Sequence, residues 1–215
     1  MKPNWAEENL QTIRTLMERS AIYRRALAPV MIFAGIMGIV GGLAGWQLKL
    51  EANAAFVLLW LGTATVSLVG ALLLVRRQSL KDAEPFWSPP TRRVSQALLP
   101  AFFLGLMVAL LVVFLWWDSS IEDMGVKALV VILWTWLYGC AIHAAGFFMP
   151  RGVRWLGWVF LLTGFVLLAV YSLPKYGLSK FEHISMHLIM ATIFGGLHLT
   201  YGIYLYFTEQ KNPVA

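Results

Sequence analysis

The chain of 215 residues has one cysteine, Cys140, so no disulfide can form within it. That residue lies inside an apolar segment, where a small buried hydrophobe is the expected role. Charge is equally scarce. Only 13% of residues are Asp, Glu, Lys or Arg, against 59% hydrophobic, whereas a soluble domain carries about 25% charged residues. A water-soluble protein this apolar would need a core larger than its length can enclose. Catalytic signatures are missing too. There is no Cys-x-x-Cys metal site, no glycine-rich phosphate loop and no hydrolase triad. The reading is therefore of a non-enzyme. The first 25 residues are charged throughout, where a cleavable signal would have a basic start and then a short apolar run.

What is present is long hydrophobic runs. A bilayer core of about 30 Å takes roughly 20 apolar residues in helix. Six stretches qualify, approximately 26–48, 52–75, 94–117, 128–150, 155–174 and 184–208, and none contains Asp, Glu, Lys or Arg. Their hydrophobicity is not confined to one face, and segments of this length satisfy their backbone groups only as helices. The expected fold is an all-α, polytopic transmembrane bundle of six helices over 26–208. A short cytoplasmic amphipathic helix over 1–25 precedes it and a cytoplasmic tail, 209–215, follows. Asn4 and Glu7 have capping-box spacing, and Leu10, Ile13, Met17 and Ala21 share a face. Pro29 predicts a kink or a restart where this helix meets the first span.

The formal charge of +6 would suit nucleic acid or anionic lipid. It sits in loops beside apolar spans, which points to the bilayer and away from nucleic acid. With the N-terminus inside, the inner segments hold Lys2, Arg14, Arg19, Arg24, Arg25, Arg76, Arg77, Lys81, Arg92, Arg93, Arg151, Arg154 and Lys211. The outer loops hold only Lys49, Lys127, Lys175 and Lys180. This bias predicts both termini cytoplasmic. Trp46, Trp116, Trp117, Trp155 and Trp158 fall at span ends as interfacial belts. In the loop 76–93, Arg pairs flank a segment stiffened by Pro85, Pro89 and Pro90, with Phe86 and Trp87 dipping into the interface or packing under the bundle. The basic inner face is a candidate docking surface for a cytoplasmic protein.

Small residues recur every fourth position: Ala34, Gly38 and Gly42; Gly41 and Gly45; Thr63, Ser67 and Ala71; Ala191 and Gly195. Such spacing lets helix backbones approach closely, within one chain or in a homo-oligomer. ALAPVMIFAGIM at 26–37 also resembles ALLPAFFLGLM at 97–107, each after an Arg pair, which suggests parallel hairpin repetition. The strings LQTIRTLMERSAIYRRALAP and RRQSLKDAEPFWSPPTRR resemble segments of a bacterial family of six-span inner-membrane proteins of unknown function. That resemblance implies a bacterial inner-membrane location and no activity, cofactor or catalytic residue.

With no charge inside the spans, histidine is the remaining chemistry-bearing residue. His143 in the fourth span and His198 in the sixth lie at similar depths. They are the candidate cofactor-binding pair, either hydrogen-bonded across helices or ligating a haem b. His198 is expected to face the bundle interior with His143, Tyr138 or Thr200 within reach. His183 and His187, spaced i, i+4 near the outer surface, are a candidate transition-metal pair that lacks an assured third ligand. The leading functional reading is a scaffold, sensor partner or small-solute permeation element. The alternative is a haem- or metal-binding membrane protein.

Overall fold

The computed structural model describes the backbone of residues 5–83, 85–117, 123–172 and 184–210, and side chains within 26–208 of that set. Among the described residues there is no strand. Helix α1 runs Trp5–Gln47, α2 Asn53–Lys81, α3 Pro89–Trp116, α4 Met124–Ala145 and α5 Arg151–Ser172. The last span is composite: α6 (Met186–Met190), a π-helical turn (Ala191–Gly196) and α7 (Leu197–Gln210). Six of these segments are long and apolar enough to cross a membrane. The protein is an integral membrane protein with an all-α fold, and lipid is its environment.

The helix boundaries depart from the apolar runs in instructive ways. α1 continues through Pro29 without a restart, because a proline removes one hydrogen bond while the neighbouring turns keep theirs. Residues 5–25 are the helical lead-in to the span. Their side chains, and with them the proposed amphipathic face, lie outside the described residues, as does the tail beyond Gln210. α2 overruns its apolar stretch to Lys81 and α3 starts at Pro89, so both Arg pairs sit on helical extensions rather than in a loop. Between them Thr91 donates to the Phe86 carbonyl at 2.9 Å, and its hydroxyl lies 3.0 Å from that of Ser88. α4 starts at Met124, one turn earlier than its apolar run, because Asp123 caps it by accepting from the backbone N–H groups of Gly125 and Val126. Lys127, read as an outer-loop residue, is consequently inside the fourth span.

The small residues explain the packing. α1 and the sixth span run antiparallel with backbones almost in contact. A Cβ on Gly35 would stand 2.6 Å from the Leu199 nitrogen, one on Gly38 2.8 Å from Gly195 Cα, and one on Gly202 2.7 Å from the Ile32 nitrogen. The stripes on α1 and the sixth span thus meet each other within one chain. α4 and α5 form a second tight hairpin, with Gly157 against the His143 backbone and Gly139 against Leu161. α2 and α3 are the outermost spans: 11% of each apolar window is buried, against 44% for α1 and 50% for α4. Cys140 is exposed on α4, contrary to the buried role expected of it. Trp46, Trp117, Trp155 and Trp158 are exposed, whereas Trp116, expected with them at the interface, is half-buried and packs against the core.

Candidate functional site: an intramembrane cavity and two histidine-centred networks

Two polar networks and one cavity concentrate the chemistry. The first network is centred on His198, which is buried. The π turn brings the Phe194 carbonyl within 2.5 Å of His198 Nδ1, and Tyr138 Oη of α4 lies 2.5 Å from Nε2. A carbonyl only accepts, so Nδ1 carries the hydrogen. In the neutral ring Nε2 then accepts, and the Tyr138 hydroxyl donates to it. The pair is set among aromatic rings: Tyr138 packs on Phe102, Phe160 and Phe194, and His198 on Phe160. Of the three partners expected for His198, Tyr138 is the one in contact. Thr200 is exposed. His143 lies against α5, with its ring edge-to-face with Phe147 and Trp158 and its Nδ1 3.5 Å from the Arg154 carbonyl. The structure therefore separates His143 and His198 into different environments. Both ring nitrogens of His198 are engaged, so ligating a haem iron would require the Tyr138 bond to break.

The second network closes the end of the bundle opposite the termini. His187 is fully buried. Trp60 Nε1–H donates to its Nδ1 at 3.2 Å, and its Nε2–H donates to the Leu50 carbonyl at 3.0 Å. An indole N–H can only donate, so this tautomer is fixed and neither nitrogen is free for a metal. His183 lies outside the described residues. Among those described, no group of three or more His, Cys, Asp or Glu side chains is placed to hold a metal ion. Beside His187, Lys127 Nζ bonds Glu51 through both its carboxylate, at 2.8 Å, and its backbone carbonyl, at 2.9 Å. Ser185 donates to the other carboxylate oxygen at 3.0 Å. Burial would raise the Glu51 pKa, but the hydrogen bond and charge of Lys127, with the Ser185 hydroxyl, outweigh it and hold the carboxyl below its ordinary value. The network ties the α1–α2 connection to the starts of α4 and α6. Sequence reasoning missed it. The available signal was Asp123, which reads as an N-cap and would have drawn Lys127 into the helix.

A cavity of about 550 Å³ lies between α1, α2, α3, α4 and the sixth span, with Tyr138 and His198 on its wall. Small residues make the room: Ala34 and Gly38 of α1 and Thr63, Ser67 and Ala71 of α2 all line it. The α2 stripe, read from sequence as a packing seam, is in large part a hollow. Phe86 and Thr91 close the end nearest the termini. Leu68 and Leu72 of α2 and Leu106 of α3 both line the cavity and are exposed. It therefore opens sideways between the two outermost helices, toward lipid.

Compared with known protein families, curated proteins and solved structures, the chain matches none.

Proposed function

We propose that this is a non-enzymatic membrane protein that takes up a small apolar solute from the bilayer into its intramembrane cavity. The single observation that carries this reading is the cavity's lateral mouth between α2 and α3, continuous with the lipid-facing surface. Its volume lies in the range of roughly 300–1,000 Å³ typical of small-molecule sites, and its walls are predominantly apolar, as such sites are. Transport coupled to protons or cations usually uses a carboxylate or a basic side chain at membrane depth. Here the charged pair Glu51–Lys127 stands at the edge of the span and the cavity wall carries hydroxyls and one imidazole instead. Binding or passive permeation fits that wall better than coupled transport.

The location we assign is the bacterial inner membrane with both termini cytoplasmic. The distribution of Lys and Arg supports the orientation, and the resemblance to six-span inner-membrane proteins supports the membrane. The basic end, with Arg76, Arg77, Arg92 and Arg93 exposed on helical extensions, would then meet anionic headgroups or a cytoplasmic partner protein.

The test places a photo-crosslinking amino acid at Ala71, inside the cavity, and at Leu115, on the lipid face, in cells. Capture of a discrete small apolar molecule at Ala71 and only bulk phospholipid at Leu115 is expected. Identical adducts at both positions would remove the basis for a binding cavity.

A further inference from the structure

Resting on the reading of the cavity as a binding site, we propose that its ligand is an apolar alcohol drawn from the bilayer, whose hydroxyl donates a hydrogen bond to Tyr138. The argument comes from the direction of the hydrogen bonds on the wall. Tyr138 Oη–H is committed to His198 Nε2, and the His198 Nδ1–H to the Phe194 carbonyl. Thr63 and Thr65 of α2 donate back to the Leu59 and Leu61 carbonyls. Trp60 donates to His187 and Trp134 to the Gly105 carbonyl. Each of these six side chains lines the cavity, and each has spent its hydrogen within the protein. The hydroxyls among them keep a free lone pair, because an O–H that donates can still accept. The wall they make therefore offers acceptors. The hydroxyls of Ser67 and Ser95 rotate and serve either role, so they do not discriminate.

A guest carrying only a carbonyl or ether oxygen meets acceptor against acceptor at Tyr138 and gains no hydrogen bond there. A guest with an O–H completes a chain: alcohol to Tyr138, Tyr138 to His198, His198 to the Phe194 carbonyl. Each bond in such a chain polarises the next. No bond is made or broken covalently and no proton changes owner. The π turn has a place in this chain, since the Phe194 carbonyl belongs to it.

The experiment uses the full chain reconstituted in phosphatidylcholine vesicles and two probes with the same apolar body: hexadecanol bearing a diazirine in its tail, and the methyl ether of that molecule. Labelling of cavity-lining peptides is read by mass spectrometry at equal membrane concentration. One neutral hydrogen bond corresponds to a preference of about threefold to tenfold for the alcohol, and unlabelled hexadecanol should compete where its methyl ether does not. Tyr138→Phe combined with His198→Leu should bring the two probes close to equality while cavity labelling persists. Tyr138→Phe alone should not, because it bares His198 Nε2 as a replacement acceptor. Equal labelling of the cavity by both probes in the unaltered protein would overturn the alcohol assignment and leave the cavity as a binding site. Labelling by neither probe above that of lipid-facing peptides would overturn both.

Discussion

Gly38→Ala adds one methyl group where α1 meets the sixth span backbone to backbone at Gly195. Its Cβ would fall 2.8 Å from both Cα and N of Gly195, where ordinary contact begins at 3.4 Å, so the two backbones must part by about 0.6 Å. Backbone cannot rotate away as a side chain can. The same pair of helices meets again at Gly35, Gly42 and Gly202, each with less than 3.0 Å available to a Cβ, so a shift at Gly38 loosens the whole seam. Overpacking of this kind costs about 1–3 kcal/mol, offset in part by the roughly 1 kcal/mol that Ala gains over Gly in a helix. The net loss of about 0–2 kcal/mol corresponds to a fall in Tm of up to roughly 8 °C for a chain of this size. Gly38→Leu should cost more, and more than Leu43→Ala, since Leu43 faces outward. Gly62→Ala is the control, because nothing lies within 4 Å of its added methyl; it should melt at or slightly above the unaltered protein. Thermal unfolding in detergent, followed by size-exclusion of the folded fraction, reads all four. If Gly38→Ala and Gly62→Ala melt together, α1 does not pack on the sixth span as described.

Three further outcomes follow from the networks and the topology. Lys127→Met leaves the Glu51 carboxylate without its cation and should destabilise by about 1–3 kcal/mol, between the values for exposed and fully buried pairs, with Glu51→Gln in the same chain restoring part of the loss. Because the folded-state pKa of Glu51 is lowered from 4.5, its contribution is complete above about pH 4.5 and fades as pH falls through the folded value; a pH titration of Tm in which Lys127→Met shows the same acid limb as the unaltered protein would remove this pair from the account. His198→Gln should be better tolerated than His198→Leu, since an amide keeps a donor for Phe194 and an acceptor for Tyr138; a Soret band in purified protein that both changes abolish would instead establish haem ligation. Reporter fusions at 80–90 and at the C-terminus should read cytoplasmic and those at 118–125 and 175–182 periplasmic; a cytoplasmic signal at 118–125 would reverse the orientation.

The spans were legible because hydrophobic length is a one-dimensional property, and each run required a helix. Close helix approach was legible from Gly38, Gly42, Ala191 and Gly195, but the spacing alone left open whether the partner was another span or a second copy, and only the structure pairs α1 with the sixth span. The same period on α2 was ambiguous. Thr63, Ser67 and Ala71 can let a neighbour in or leave a space, and only the position of α3 decides between them. His198 was expected to face the bundle interior, and it is buried there, but which of His143, Tyr138 and Thr200 meets it was left open. Depth placed His143 and Tyr138 alike, and the rotation of α4 turned Tyr138 inward and His143 toward α5. The Glu51–Lys127 pair was hidden because a lysine one residue before an apolar run reads as a loop charge until the cap at Asp123 is taken as the start of the helix.

The most direct test of the intramembrane binding site is native mass spectrometry of the full chain released from detergent micelles. The account predicts a single small apolar adduct on the unaltered protein that is lost when Ser67→Trp fills the cavity, with folding retained. Protein that carries no adduct, or one that persists in Ser67→Trp, would contradict it.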